Sequence, residues 1–304
     1  MGTPDFAVPT LRALHNSSYH VSLVVTQPDR PKGRGRKLIP PPVKEAAMEL
    51  GYETIQPESV KTDAFFNRVQ SMEPDFFVVI ALGHILPKNI LEIPTIAAVN
   101  VHASLLPKYR GAAPIQWAII NREQVTGVTT MLMAQGLDAG DMLLSSTTSI
   151  GPGDTAQHLH DRLSEMGAPL LLRTLDDLVC GKSAPQAQDP SQVSYAPMLT
   201  KKDGQLDWFK PARELEALIR GVTPWPGAFT FHGKKRIKIF KSEIVPVATY
   251  DTPGRILKGF TDELRVATGR GILSILELQG ESGKRLPVKD FLRGYRFEPR
   301  AILT

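Results

Sequence analysis

From His20 onward the chain repeats one pattern: a short β-branched run, a turn, a stretch with apolar residues at helical spacing, then another short run. "HVSLVVTQ" reads as a strand, "PPVKEAAMELG" as a helix, "YETIQ" as a strand, "KTDAFFNRVQSM" as a helix and "DFFVVIALG" as a strand. Strands and helices in alternation bury their apolar faces when helices cover a mostly parallel sheet, so the pattern predicts a doubly wound α/β domain. "AAVNVHAS" continues it as a buried strand, "APIQWAIINR" as a helix with proline near its first turn, and "GVTTMLMA" and "GDMLLSSTTSI" as strands. A long helix from about Thr155 to Val179 ends the series.

After Val179 the pattern stops. "CGKSAPQAQDPSQVSYAP" is rich in Ser, Gln, Pro and Ala without periodicity, a linker by composition. Beyond Thr200 come one helix, "ARELEALIRG", and short strands separated by Gly-containing turns, which predict a small antiparallel β-barrel. The expected organisation is thus an α/β domain over 1–180, a linker over 181–200 and a barrel over 201–304. A length of 304 residues exceeds one typical core and fits two domains. No window holds eighteen uninterrupted apolar residues, and no basic segment leads into an apolar one at the start, so the expected compartment is the cytoplasm, without a membrane partner. A monomer is expected. Cys180, the single cysteine, ends the apolar helical pattern "LLLRTLDDLVC" and is expected to be buried.

The net charge of +5 conceals a split: residues 1–200 carry 16 Lys+Arg against 19 Asp+Glu, and residues 201–304 carry 20 against 12. Inside the acidic part lies one basic exception, "DRPKGRGRK" from Asp29 to Lys37, with Arg30, Lys32, Arg34, Arg36 and Lys37. The connection from Gln27 to Pro42 is long for a strand-to-helix loop, where about 2–6 residues is usual, and long ordered loops tend to be functional. A run of charge is more often a solvated face than a binding site. A second basic run on the barrel, "HGKKRIKIFK", favours a polyanion, and nucleic acid in particular.

On a strand, residues two apart share a face, so Asn100 and His102 in "AAVNVHAS" project together while Val99 and Val101 pack opposite. Ligands of an open α/β sheet bind in the crevice at the carboxyl ends of its strands, where the loop "SLLPKYRGAAP" leaves. Asp138 in "QGLDAGD" follows the next strand, flanked by glycines that would give its carboxylate a flexible reach into the same crevice. Singly, each has a plainer reading, as a turn former, a satisfied core imidazole and a cap. Together they can donate to an oxyanion and move a proton.

With its neighbouring words this constellation resembles the folate-dependent formyltransferases, which use Asn-x-His followed by "SLLPxxRG" and a later "LDxGxxL", here Leu137 to Leu143. "GTPDFAVPTL", "TQPDRPKGRGRK", "APIQWAI" and "TPWPGA" extend the resemblance over essentially the whole chain, toward the branch that formylates a tRNA-borne methionine. The resemblance implies a Rossmann-like catalytic domain with an OB-like, tRNA-binding barrel. It implies 10-formyltetrahydrofolate as formyl donor, no metal, and initiator methionyl-tRNA as partner. It assigns catalysis to Asn100, His102 and Asp138, with Asn100 donating to the oxyanion and His102, partnered by Asp138, donating to it or passing on the proton. It places Ser104, Leu105, Leu106 and Pro107 in the folate site, with "VVIALGHILP" as apolar wall and His84 as a departure within it. Gly2, Thr3 and Pro4 would stand near the substrate end, and Arg110 could meet a carboxylate, a phosphate or water. The basic loop would lie on the tRNA acceptor stem, with Arg34 at a base edge and Arg30, Lys32, Arg36 and Lys37 on phosphates.

Readings from other classes fit less well. A nicotinamide-dependent dehydrogenase needs G-x-G-x-x-G on the first strand-to-helix turn, whereas "GRGRKL" and "GRGILS" lack the third glycine and lie elsewhere. His158 and His160 in "HLHD" are two apart on an expected helix and would not share a metal. A non-catalytic RNA-binding protein would leave the Asn100, His102 and Asp138 set idle. Another folate-dependent formyltransferase would share that set but not the basic loop. Finally, Gly2-Thr3-Pro4 follows Met1 directly where the resembled family carries a short apolar strand. This predicts an open slot in the sheet and residues upstream of Met1 in a longer natural chain.

Overall fold

A computed structural model describes residues 1–32, 37–298 and 301–304. The chain divides into two units, one of residues 1–114, 125–149 and 160–196, the other of 115–124, 150–159 and 197–304.

The first unit is α/β. Its strands are β1 (Val24–Val25), β2 (Arg30–Lys32), β3 (Lys37–Ile39), β4 (Thr54–Ile55), β5 (Phe76–Val79), β6 (Ala97–His102), β7 (Val125–Leu132) and β8 (Met142–Ser149). Helix α1 (Val8–His15) precedes them, and helices α2 (Pro42–Glu49), α3 (Asp63–Gln70) and the single turn α4 (Lys88–Leu91) lie between them in the chain. β1 pairs parallel with β4, and β5 pairs parallel with β6. The expected parallel sheet then ends differently, because β7 and β8 run antiparallel to β6 and to each other, giving the order β5-β6-β7-β8. In the chain, helix α5 (Pro114–Ile120), all but its first residue in the second unit, precedes β7, and helix α6 (Ala156–Val179), in the first unit from residue 160 on, follows β8. Gly167 of α6 lets the helix lie against the sheet, since a Cβ there would stand 3.1 Å from Val101 and 3.7 Å from Val128. Thr174 adds a hydroxyl contact to Thr130 of β7 at 2.8 Å.

A seam crosses the sheet between β1 and β5. Gly2 holds its end, donating to Val25 O at 2.9 Å, while Ile80 N donates to Met1 O at 3.0 Å. Behind these two residues lies a cavity of about 320 Å³, lined by Met1, Leu11, Leu23, Val25, Val69 and Phe76 among others. The expected slot is therefore present. It also explains why "HVSLVVTQ" pairs over Val24–Val25 alone: the rest of that run has no strand beside it. The Met1 amine donates to Val78 O at 2.8 Å, and burial pulls its pKa down to about 5.

The second unit contains α7 (Ala212–Gly221), β9 (Ala228–His232), β10 (Lys235–Val245), β11 (Leu264–Ala267), β12 (Ile272–Gln279), β13 (Leu286–Pro287) and α8 (Val288–Gly294). Its sheet is antiparallel in the order β11-β12-β10-β9, with β13 on β12. Leu215, Ile219, Ile237, Ile239, Leu273 and Ile275 are among its fully buried side chains. Trp208 is also buried and keeps its indole N–H satisfied by Thr230 Oγ1 at 2.9 Å. Irregular pairing between Ile239 and Ser242 bends β10. Cys180 departs from expectation: it follows the last turn of α6 and is exposed.

Candidate active site

β6 presents Asn100 and His102 on one face, with Val99 and Val101 buried on the other. Asn100 stands in register between Val79 of β5 and Met131 of β7, and His102 pairs with Thr129. Only 7% of His102 is exposed. Its Nε2 lies 2.9 Å from Tyr109 O, and because a carbonyl can only accept, Nε2 carries the proton. That leaves Nδ1 as the working edge of the ring, 3.7 Å from Asp138 Oδ2. Oδ1 of Asn100 is buried with no hydrogen-bond partner among the described residues. An unmatched buried acceptor costs about 1–3 kcal/mol, which a bound N–H would relieve.

The loop after β6 is tied to its own strand neighbours. Ser104 Oγ donates to Lys108 O at 2.6 Å, Thr129 Oγ1 donates to Ser104 O at 2.7 Å, and Leu106 N donates to Thr129 Oγ1 at 3.2 Å. The Leu106–Pro107 peptide bond is cis. Of the four residues expected to face folate, Ser104 and Leu106 are buried, and the Ser104 hydroxyl is spent inside the loop. Leu105 and Pro107 are half-buried, and Ile85 of the expected apolar wall is exposed. His84 keeps its Nε2 buried and without a partner among the described residues. Thr3 closes the opposite loop, its hydroxyl donating to Leu82 O at 2.9 Å.

Asp138 occupies the left-handed region, φ 47°, and accepts from Gly111 N at 2.8 Å through Oδ2. The flanking glycines do not act as flexible arms. A Cβ on Gly140 would fall 1.7 Å from Leu132 O, so glycine is there because the backbone passes too close for a side chain. Gly111, φ 119°, likewise lies against Ala196 O. Sequence reading missed the residues that hold these loops. Arg110 Nε and Nη2 donate to Gln188 Oε1 at 3.0 and 2.8 Å. Ser194 accepts from Tyr109 N through Oγ at 2.9 Å and from Arg110 N through its carbonyl at 2.9 Å, and Ala196 O accepts from Ala113 N at 3.1 Å. Gln188, Ser194 and Ala196 all lie in the stretch whose composition reads as a linker.

The basic connection is a two-stranded ribbon rather than an open loop. β2 and β3 pair antiparallel, with Lys32 opposite Lys37 and Arg30 opposite Ile39. Arg30 and Lys37 are exposed, as is Leu38; Arg34 and Arg36 lie outside the described residues. Asp29 anchors its base, receiving Lys44 Nζ at 2.9 and 2.8 Å and Gln56 Nε2 at 2.8 Å. These bonds, Lys44's first, hold the Asp29 carboxyl below its ordinary range. On the second unit, Lys234, Lys235, Lys238 and Lys241 are exposed along the β9–β10 hairpin, and Arg236 stacks 3.7 Å over the Phe229 ring. Among the described residues no group of His, Cys, Asp and Glu is arranged to hold a metal ion, and no helix is long and apolar enough to cross a membrane.

Comparison with known proteins places two family models on the chain: formyl transferase over residues 1–175, and formyl transferase, C-terminal domain, over residues 198–296. The chain is 50% identical over 303 residues to the methionyl-tRNA formyltransferase of Citrifermentans bemidjiense, covering 100% of this chain and 95% of that protein. It is 48% identical over 304 residues to that of Caldanaerobacter subterraneus, covering 100% and 98%. Among solved structures, an N-formyltransferase from Helicobacter canadensis in complex with folinic acid and dTDP-3-aminofucose shares the fold. Its TM-score is 0.65 at 18% identity, over 94% of this chain and 97% of that one.

Proposed function

The chain belongs to the methionyl-tRNA formyltransferases, and from that membership we propose that it transfers a formyl group from 10-formyltetrahydrofolate to the α-amino group of methionine on initiator tRNA. The observation that carries the reading is near-half identity along both domains, with Asn100, His102 and Asp138 gathered where a sheet of this type binds ligands.

The donor supplies an activated formyl carbon. The methionine amine attacks that carbon, the carbonyl oxygen becomes an oxyanion, N10 of the folate takes a proton, and the C–N10 bond breaks. Asn100 stabilises the oxyanion through its side-chain amide, a role whose loss typically costs about 10²–10³ in rate. His102 works from Nδ1, since Nε2 is committed to the Tyr109 carbonyl, and it shares with Asp138 the proton that leaves the amine. The exposed side chain of Ile85, with half-buried Leu105 and Pro107, offers apolar surface to the folate rings. Of the basic connection, Arg30, Lys32, Arg36 and Lys37 take tRNA phosphates and Arg34 a base edge, and the lysines of the β9–β10 hairpin add a second basic surface.

Incubation of the protein with 10-formyltetrahydrofolate and methionine-charged initiator tRNA tests the reading. Formyl-methionyl-tRNA is the expected product. Its absence, with intact substrates and folded protein, rejects the proposal.

A further inference from the structure

We propose that Gln188 is a positioning residue for this reaction, holding Asp138 in the backbone conformation from which its carboxylate faces His102. The proposal rests on the function argued above. Gln188 is 9% exposed and uses its whole hydrogen-bonding capacity. Oε1 accepts from Arg110 Nε and Nη2 at 3.0 and 2.8 Å, and Nε2 donates to Asp138 O at 2.8 Å and Gly140 O at 2.7 Å. A guanidinium can only donate and a carbonyl can only accept, so these partners fix the orientation of the amide.

The bonds fall at the strained point of the site. Asp138 has φ 47°, a conformation that a non-glycine residue keeps only where its surroundings over-determine it. Three contacts do so here: Gly111 N on the carboxylate, and the two donations from Gln188 to the backbone on either side of Ala139. Through Arg110 the same amide also grips the loop whose Tyr109 carbonyl orients His102. One side chain thus sets the distance between the imidazole and the carboxylate. Gln188 is delivered by an antiparallel pairing between Met142 and Gln186, with 2.8 Å bonds in both directions, so its own backbone is fixed to the sheet.

Two variants separate positioning from folding. Gln188→Met removes both donors without adding charge. Gln188→Glu keeps an acceptor for Arg110 but turns a carboxylate oxygen toward two carbonyls. Each is assayed beside the wild type for kcat, for KM toward the folate donor and toward methionyl-tRNA, and for its unfolding midpoint in urea. Misplacing a catalytic group by about 1 Å can cost 10²-fold, so kcat is expected to fall about 10-fold or more in both variants, with both KM values within about 3-fold of wild type. Unchanged kcat in both overturns the proposal. So does a KM that rises in step with the loss of kcat, and so does failure of both variants to fold, which would make Gln188 a residue of the fold alone. If the wild type itself makes no formyl-methionyl-tRNA, the functional reading is what fails.

Discussion

On the proposed mechanism, replacing Asn100, His102 or Asp138 by alanine removes an oxyanion donor, a proton carrier or the carboxylate that faces it. In each case kcat should drop by about 10²-fold or more. Steady-state formylation by the folded variants is the check, and near-wild-type turnover in any of them dismisses that residue from the chemistry. These three residues are legible in the sequence for a physical reason. Two of them alternate on a strand, and the third sits in a motif with glycines that the backbone requires. Gln188, Ser194 and the Tyr109 carbonyl are not legible. Gln188 and Ser194 work through hydrogen bonds to segments about 50–85 residues away, and the Tyr109 carbonyl through one bond within a loop, none of which imposes a period on either segment. The free edge of His102 could not be foreseen either, because it depends on which nitrogen a backbone carbonyl claims.

Among the elements, the β2–β3 ribbon shows how far composition reaches. Its basic residues stand out in the sequence, but the pairing of Arg30–Lys32 with Lys37–Ile39 does not, since two three-residue segments, Arg-Pro-Lys and Lys-Leu-Ile, show no alternation and the first carries a proline that cannot donate to a ladder. Neutralising Arg34 and Arg36 should weaken tRNA binding and flatten its salt dependence. Each lost phosphate contact lowers the logarithmic slope by about 0.9 on duplex RNA treated as B-DNA is. Folate affinity should stay constant; a tRNA titration unaltered by both changes would show that neither arginine contacts the tRNA. The anchor at Asp29 has its own signature. Because the folded carboxyl titrates lower than the unfolded one, its contribution is complete above the ordinary value of 3.8 and is lost as pH falls through the depressed value. Asp29→Asn should therefore speed amide exchange at Arg30, Lys32 and residues 37–39 at neutral pH. Exchange as slow as in the wild type would show that the ribbon holds without its anchor.

For the molecule as a whole, the α/β character of the first unit follows from hydrophobic period, and the antiparallel sheet of the second from short strands separated by Gly-containing turns. The two antiparallel strands β7 and β8 do not, because a buried strand has the same composition in either direction. In a chain whose amino end is Met1, global stability would carry a pH signature from the sheet seam. There the amine titrates near 8.0 when unfolded and near 5 when folded, so the unfolded state binds the extra proton between those values. Stability is then complete above pH 8 and falls as pH drops toward 5, by up to roughly 4 kcal/mol at 1.36 kcal/mol per unit. Urea midpoints at pH 5 and 8, compared with those of an N-acetylated chain, measure the difference; identical slopes would mean that the amine is solvated. A different consequence follows from the segment that brings Gln188 and Ser194 to the site, and it concerns time. Synthesis runs from the amino end, so Asn100, His102 and Asp138 leave the ribosome well before the residues that brace their loops. A nascent chain holding these three side chains still lacks the bonds that brace their loops, which form only when residue 196 has emerged.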